Sequence, residues 1–215
     1  MIFEDRYDAG RKLAEKLLAH RRNAIVLAIP RGGVPVGYEV ARRLEAPLDI
    51  IVPRKLPIPS EPEAGFGAIA PDGTIVLNEE MVADLGLTPR EIGRIASEVL
   101  DEVRRRIKEY RGGRPLPELK SKKVIVVDDG LASGYTMIAA VRAIKNERPA
   151  RIIVAVPCSP RTSVARLEKE ADEIVSLYVQ PYGPFAVAGY YERFPDLDDE
   201  EVKRLLRAAV QSSAL

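Results

Sequence analysis

Short, mostly apolar runs alternate along this chain with segments whose apolar residues recur every three or four positions. Runs of the first kind predict buried strands; they are AIVLAI (24–29), LDIIV (48–52), VIVV (124–127), RIIVAVPC (151–158) and EIVSLYV (173–179). Strands without polar alternation, separated by helices, are typical of a parallel sheet covered on both faces. The pattern therefore predicts an α/β fold in which a parallel sheet is flanked by helices.

Segments with helical spacing predict the layers that cover this sheet. They are 9–20, 32–45, 88–110, about 136–145, 159–171 and 196–210. In the clearest of them, 88–110, Thr88 is the predicted N-cap, Pro89 the first helical residue and Glu91 the partner in a capping box. The residues predicted to face the core are Ile92, Ile95, Val99, Val103 and Ile107 in this helix and Val202, Leu205, Leu206 and Ala209 in the last one.

Between residues 54 and 78 the pattern changes. RKLPIPSEPEAG (54–65) is rich in proline and charge, which predicts a loop. GAIAPDGTIVLN (67–78) predicts a β-hairpin, with Pro71-Asp72-Gly73 as its turn. A hairpin is therefore expected to interrupt the alternation of strands and helices.

Composition narrows the class of protein. The 33 basic and 32 acidic residues give a net charge of +1, which argues against a general nucleic-acid binder. With one cysteine, Cys158, and one histidine, His20, neither an internal disulfide nor a zinc site is expected. No apolar run approaches the roughly 18 residues of a membrane span, and residues 1–10 lack the apolar region of a signal peptide, so we expect a cytoplasmic protein. Few Asn and Gln residues among many charges favour a thermophilic source.

Two isolated residues receive structural interpretations. Cys158 follows a buried strand, and we expect it to act as an inert small apolar residue at the edge of the candidate site. His20 ends a predicted helix, where a cationic side chain interacts favourably with the helix dipole.

Ligands of open parallel sheets bind beyond the carboxyl ends of the strands. The segments that follow the first four predicted strands are PRGG, PRK, DDGLASGYT and PCSPR. Three of them carry a basic residue, and the other carries two acids. That mixture suits a phosphorylated ligand that also binds a metal ion.

The segment DDGLASGYT (128–136) combines two carboxylates with a loop of small and hydroxylated residues. Small residues allow the backbone N–H groups of the loop to converge, and the helix that follows adds partial positive charge, so the loop predicts a phosphate site. The carboxylates of Asp128 and Asp129 suit hydroxyl groups of the same ligand. A ribose 5-phosphate unit presents both groups. The alternative is a strand-end turn in which an Asp side chain bonds its own backbone.

VIVVDDGLASGYTM (124–137) resembles the phosphoribosyl-pyrophosphate motif of type I phosphoribosyltransferases. IPRGGVPVG (29–37) is similar to the pyrophosphate loop of that superfamily, and VPRKLPIP (52–59) carries a basic residue after the second strand. The hairpin and its flanks resemble the mobile catalytic loop. Together with FAVAGYYERF (185–194), these segments resemble an uncharacterised bacterial and archaeal branch, over nearly the whole chain. We therefore expect a single phosphoribosyltransferase-like domain at 1–215.

The resemblance implies a donor site for phosphoribosyl pyrophosphate. Asp128 and Asp129 would hold the ribose hydroxyls and stabilise charge at the anomeric carbon. The 5-phosphate would lie on Ala132, Ser133, Gly134, Tyr135 and Thr136, and the pyrophosphate would meet Arg31, Gly32, Gly33, Arg54 and Lys55. The peptide at the pyrophosphate loop is often cis or strained in this superfamily. Mg²⁺ is expected to bind mainly through substrate and water, with Asp128 and Asp129 as possible protein ligands.

The resemblance also implies a small hood built from chain ends, at roughly 180–197, with a C-terminal helix at 198–211. The acceptor would bind there, and Phe185, Tyr190 and Tyr191 are candidates for stacking on a planar base. Packing or an interface is the alternative for these rings, as a tight turn is for Arg31-Gly32-Gly33. Homodimers are common in the superfamily, so a homodimer is a further expectation.

The expected activity is Mg²⁺-dependent transfer of a phosphoribosyl group to a nitrogenous base, with release of pyrophosphate. Two alternatives stay open at this stage. One is a non-catalytic module that senses phosphoribosyl pyrophosphate or a nucleotide, although the chain lacks a helix-turn-helix extension and a basic surplus. The other is a different ribose-phosphate reaction, such as phosphorolysis or hydrolysis. A membrane partner is not expected.

Overall fold

The computed structural model describes residues 2–59 and 61–212, so Met1, Ser60 and 213–215 of the expected domain lie outside the described residues. The strands are β1 Ala24–Ala28, β2 Leu48–Ile50, β3 Arg54–Ile58, β4 Glu61–Ile69, β5 Ile75–Leu77, β6 Lys123–Val127, β7 Arg151–Pro160 and β8 Glu173–Gln180. The helices are α1 Arg6–Leu17, α2 Gly33–Leu44, α3 Glu79–Asp84, α4 Pro89–Arg111, α5 Tyr135–Asn146, α6 Arg161–Leu167 and α7 Asp199–Ser212. Short 3₁₀ turns lie at Leu18–His20 and Val187–Tyr190.

Five parallel strands form the central sheet, in the order β2-β1-β6-β7-β8. Every residue of β1 is buried, as are Val124–Val127 of β6. Their side chains alternate between two cores: Val26 and Ala28 face α1, α2, α4 and α7, while Ile25 and Leu27 face α5. The predicted parallel sheet flanked by helices is confirmed.

The helix boundaries follow recognisable sequence signals. At the start of α4, the Thr88 side chain accepts from the backbone N–H of Glu91, and the Glu91 carboxylate accepts from the backbone N–H of Thr88 at 2.8 Å. Ile95, Val99 and Val103 are buried along this helix. The four apolar residues predicted for the inner face of α7 are also buried. Both helix predictions are confirmed.

The segment predicted as a loop at 54–65 is wrong in part. It forms β3 and the start of β4, which pair in an antiparallel sheet with β5 in the order β3-β4-β5. Leu56 and Ile58 alternate into the core, and Pro57 is accommodated where the pairing register shifts on both of its sides. The predicted hairpin at 67–78 is confirmed, with Gly73 in its turn at φ +90°.

The fourth strand of the central sheet is longer than predicted. β7 continues through Cys158 and Ser159 to Pro160, because β8 keeps pairing with it as far as Gln180. Helix α6 is correspondingly short. PCSPR is therefore largely strand, and Cys158 lies fully buried inside the sheet.

Candidate active site

Two distant segments meet because β1 and β6 are neighbours in the sheet. Ala28 is paired with Val127, and the backbone N–H of Ile29 donates to the Val127 carbonyl at 2.8 Å. The chain continues from β1 to β2 on one side, whereas β6 lies on the other, which opens a crevice at this point of the sheet. Residues 30–33 and 128–129 lie side by side at this point, and Pro30, Arg31 and Asp128 line the crevice.

The paired glycines of the β1–α2 loop permit this close approach. A Cβ atom at Gly32 would lie 2.0 Å from Oδ2 of Asp129, and one at Gly33 would lie 2.7 Å from the Val127 carbonyl oxygen. Neither position has room for a side chain. The peptide bond between Pro30 and Arg31 is cis, as the resemblance implies. The glycines thus accommodate the two acidic residues that follow β6, a protein neighbour that the sequence interpretation did not assign to them.

Asp129 is held by Arg6 of helix α1, which lies 123 positions earlier in the sequence. The Nε of Arg6 donates to Oδ2 of Asp129 at 2.8 Å, with side-chain exposures of 9% and 14%. The same guanidinium donates to the carbonyl of Pro195 at 2.7 Å and lies 3.7 Å from the ring centroid of Phe194. The hydroxyl of Tyr191 donates to the backbone carbonyl of Asp129 at 2.6 Å. Both chain ends therefore fix this residue.

The two carboxylates have different surroundings. Asp128 lines the cleft, and its Oδ1 accepts from the backbone N–H of Asp129 at 2.8 Å. Burial, together with the negative charge of Asp129, raises the pKa of Asp128 well above its usual range. Burial also raises the pKa of Asp129, while the charge of Arg6 acts in the opposite direction. A cationic ligand group or a hydroxyl donor near Asp128 would offset the cost of its charge.

The predicted phosphate loop is held in place from α6. Gly134 has φ +86°, a left-handed conformation that favours glycine, and helix α5 begins at the next residue. Ser163 Oγ donates to the carbonyl of Ala132 at 2.5 Å, and Arg166 donates to that of Ser133 at 3.1 Å. Carbonyls bound in this way point toward α6. These two bonds fix the backbone of the loop just before α5 begins.

The side chains of the phosphate loop divide between solvent, cleft and protein. Ala132 and Ser133 are exposed, and Thr136 lines the cleft. Tyr135 is half-buried against the α5 side of the core, and the Arg166 guanidinium lies 5.6 Å from its ring centroid. Tyr135 therefore serves as a platform for Arg166.

A cleft of about 480 Å³ runs from Asp128 along the carboxyl edge of β1 and β2. Its charged lining consists of Arg31, Arg54, Lys55, Glu102, Arg106 and Asp128. Arg54 forms a short ion pair with Glu102. The structure thus brings three of the predicted basic residues and Asp128 to one cavity.

Helix α7 contacts Arg31, a residue that lines this cleft. The Arg31 guanidinium lies 3.6 Å from Oδ1 of Asp199, which also accepts from the Tyr110 hydroxyl at 2.6 Å. The hydrogen bond from Tyr110 lowers the pKa of Asp199. Arg31 is therefore tethered to the start of α7, with 41% of its side chain exposed.

The predicted hood lies beside the phosphate loop. A Cβ atom at Gly130 would lie 2.6 Å from Cγ1 of Val187, so the 3₁₀ turn packs directly on the motif. The Phe185 and Tyr190 rings are half-buried, with their centroids 5.2 Å apart. Tyr191 is only 3% exposed. It packs between Phe3 and Phe194, so its ring has no open face for stacking and only its hydroxyl faces the motif.

The comparisons with known proteins assign the family. A family model described as the phosphoribosyl transferase domain matches residues 2–185. The chain belongs to the phosphoribosyltransferase family. This agrees with the sheet order, the motif after β6 and the loop after β1 described above.

Matches to similar proteins cover nearly all of this phosphoribosyltransferase chain. Two Mycobacterium tuberculosis proteins, "Putative phosphoribosyl transferase MT0597" (strain CDC 1551 / Oshkosh) and "Putative phosphoribosyl transferase Rv0571c" (strain ATCC 25618 / H37Rv), are each 41% identical over 209 residues. The matches cover 97% of this chain and 47% of each relative, so the chain spans about half the length of the curated relatives it matches. The crystal structure of TT1426 from Thermus thermophilus has a TM-score of 0.79 and 39% identity, covering 96% of this chain and 98% of that one.

Sequence reasoning missed two charged residues that line the cleft, Glu102 and Arg106. It also missed Arg6 and Asp199, which pair with Asp129 and Arg31. Arg6 continues the buried face of α1, in step with Ala9, Leu13 and Leu17. An arginine on an apolar helix face is an available signal for a buried ion pair. The others depend on how α4 and α7 pack on the sheet.

Two sequence-based expectations concern isolated groups outside this cleft. His20 lies at the end of the 3₁₀ turn after α1, and its Nε2 is 3.1 Å from Oε1 of Glu173. Burial raises the pKa of Cys158 to about 12, in keeping with an inert thiol.

Among the described residues, no helix is both long and apolar enough to cross a bilayer.

Proposed function

We propose that this chain catalyses the Mg²⁺-dependent transfer of a phosphoribosyl group from phosphoribosyl pyrophosphate to a nitrogenous base or related acceptor, with release of pyrophosphate. One observation carries the proposal: Asp128, Thr136 and the cationic residues Arg31 and Arg54 line a single cleft beside the phosphate loop. A ligand with sugar hydroxyls, a phosphate monoester and a diphosphate is complementary to that arrangement. The family match and the Mycobacterium relatives support the reaction class.

The donor would lie with its ribose over β6. Asp128 faces the cleft and would accept hydrogen bonds from the ribose hydroxyls, assisted by Asp129 through the oxygen that Arg6 does not occupy. The 5-phosphate would bind the N–H groups of 132–136 at the start of α5. Arg31, Arg54 and Lys55 would bind the diphosphate at the other end of the cleft.

In the transfer, the bond from the anomeric carbon to the diphosphate oxygen breaks, and its electron pair leaves with the diphosphate. The lone pair of the acceptor nitrogen forms the new bond to carbon, and that nitrogen then releases a proton to solvent. Positive charge develops on the sugar in between. A nearby carboxylate such as Asp128 stabilises that charge, and the cationic end of the cleft stabilises the negative charge of the leaving group.

The residues present suit a Mg²⁺ ion that arrives with its substrate. Within 2–59 and 61–212, no three His, Cys, Asp or Glu side chains are grouped to hold a metal ion. Mg²⁺ often binds through one or two carboxylates together with substrate phosphates and water, and Asp128 and Asp129 would supply those carboxylates. The ion would neutralise charge on the diphosphate. Asp128 would at the same time keep its contact with the ribose.

The acceptor would enter between the cleft and the hood. Phe185 and Tyr190 are half-buried in the hood, so part of each ring remains accessible to a planar base, although Tyr190 also packs on Tyr178 with the centroids 5.1 Å apart. Gln180 donates from Nε2 to the carbonyls of Tyr182 and Pro184, each at 2.9 Å, which braces the loop that carries Phe185. We therefore place base recognition on these two rings and exclude the ring of Tyr191.

The experiment is to incubate the protein with Mg²⁺, phosphoribosyl pyrophosphate and a panel of bases, and to measure pyrophosphate release. Asp128→Asn is expected to cut turnover by orders of magnitude, as is the double variant with Asp129→Asn. Asp101→Asn, on the exposed side of α4 with 74% side-chain exposure, is the matched control and should retain activity. Donor binding without turnover on any base would favour the sensing module. Wild-type activity in the double variant would refute the assigned roles.

A further inference from the structure

We propose that Arg106, on helix α4, is a further diphosphate-binding residue, held in the cleft by Glu102 beside Arg54. The identity of the ligand rests on the proposed function; the existence of the anion site rests on the geometry alone. None of the strand-end motifs contains Arg106, and its place in the cleft follows from the packing of α4 against β3.

Glu102 gathers two guanidiniums at one point. Its Oε1 accepts from Nε of Arg106 at 3.2 Å and forms the short ion pair with Arg54. Glu102 and Arg106 are one helical turn apart, and Val99, which precedes Glu102 by three residues, is buried on the same side of α4 and lines the cleft. The ion pairs therefore hold Arg54 and Arg106 next to each other in the lining of the cleft.

The charge of the cleft favours an anionic ligand. Its lining contains four cations, namely Arg31, Arg54, Lys55 and Arg106, against two carboxylates, those of Glu102 and Asp128. The lining therefore carries a surplus of two positive charges (four minus two). A guanidinium carries five N–H donors, more than one carboxylate oxygen can accept, so Arg106 keeps donors for ligand oxygens. A diphosphate presents closely spaced oxygens that match neighbouring guanidiniums.

Arg106 differs from its two neighbours in sequence, because Arg104 and Arg105 lie on the outer surface of α4 and Arg106 lines the cleft. Arg104 and Arg105 are 65% and 66% exposed, and they pair with Asp101 and Glu109 on the outer surface of α4. Arg106 is 24% exposed and is the member of this run that lines the cleft. Arg105→Ala is therefore a matched control that removes the same charge from the same helix.

The test measures binding of pyrophosphate and of phosphoribosyl pyrophosphate, each with Mg²⁺, by titration calorimetry on the full chain. Arg106→Ala is expected to weaken both ligands about tenfold or more, the usual consequence of losing a charged hydrogen bond. Arg106→Lys should fall in between, because it keeps the charge without the planar fork. Arg105→Ala should stay within about twofold of the wild type. Thermal unfolding of each variant verifies folding, and Arg106→Gln replaces any variant that does not fold.

The outcomes separate this inference from the proposed function. If Arg106→Ala binds both ligands as the wild type does, the inference is overturned and the proposed function stands. If the wild type binds pyrophosphate but not phosphoribosyl pyrophosphate, and Arg106→Ala loses pyrophosphate, the anion site stands and the proposed donor is wrong. If the wild type binds neither ligand, both are overturned.

Discussion

The buried pair of Arg6 and Asp129 yields the sharpest prediction about stability. Replacing Arg6 by Met keeps most of the apolar volume of the side chain but leaves the Asp129 carboxylate, 14% exposed, without its cationic partner. Removal of one member of a buried pair costs about 3–5 kcal/mol, because the remaining charge is desolvated and uncompensated. The variant also loses the hydrogen bond to Pro195 and the contact with Phe194. We expect the free energy of unfolding to fall by that amount.

The magnitude is large relative to the stability of an ordinary domain. Native proteins are stable by about 5–15 kcal/mol, and each kcal/mol lowers the melting temperature by roughly 2–4 °C at this chain length. Arg6→Met should therefore melt about 6–20 °C below the wild type. Circular dichroism during heating and urea titration both measure this loss. Because the pair is nearly buried, added salt should change the difference in stability between the variant and the wild type only a little.

Two variants control this experiment. Arg11→Met changes an arginine on the same helix that is 51% exposed and approaches its acidic partners only at 3.9 and 4.0 Å, so its unfolding free energy should change by less than about 1 kcal/mol. The double variant Arg6→Met with Asp129→Asn should lose less than the sum of the single losses, because no buried charge is then left unpaired. The reasoning about the pair is refuted if Arg6→Met has the same melting temperature as Arg11→Met. It is also refuted if the loss of unfolding free energy in the double variant equals the sum of the two single losses.

Three further predictions concern packing, a thiol and the source. Gly32→Ala should abolish donor binding and destabilise the fold, since its Cβ would lie 2.0 Å from Oδ2 of Asp129. As a control, Gly93→Ala lies in an open position of α4, and urea titration should find it neutral or more stable by up to about 1 kcal/mol. Cys158 should react with a thiol reagent at pH 8 about a thousandfold more slowly than an exposed cysteine, because burial raises its pKa from 9.0 to about 12; comparable rates would contradict its burial. Since its folded pKa lies above the unfolded value, its effect on stability is nil below pH 9 and unfavourable as pH rises from 9 to 12, measurable as a falling unfolding free energy. The scarcity of Asn and Gln predicts a melting temperature above about 65 °C, and a value in the ordinary mesophilic range would count against a thermophilic source.

The regular elements followed from local sequence wherever one strong pattern acted alone. The buried strand of Val124–Val127 and the capped helix that begins after Thr88 are examples. The segment 54–65 failed because proline signals a loop, while Pro57 occupies a shift in strand register that only the paired strand reveals. The short helix Glu79–Asp84, capped by Asn78, was missed because it buries no residue and so lacks an apolar stripe.

The site was predictable as far as it is written in contiguous motifs. Asp128 and Arg31 meet because parallel strands end at one edge of a sheet, a rule that needs only the strand assignments. Arg6 and Arg106 come from helices whose packing on the sheet decides which of several arginines face inward. Tyr191 shows the same limit, since its aromatic character suggested a platform for a base and its burial makes it a support for Asp129.

The meeting of both chain ends at Asp129 has a consequence for the order of folding. Arg6 is separated from Asp129 by 123 positions and from Pro195 by 189, and the backbone N–H of Phe3 donates to the carbonyl of Tyr190 at 3.0 Å. Contacts between such distant segments form late, because closing a long loop costs entropy before any contact repays it. We therefore expect β1 and β6 to pair before Arg6 links Asp129 to Pro195. On that order, Asp129 reaches its final environment only after the segments around Arg6 and Pro195 have met.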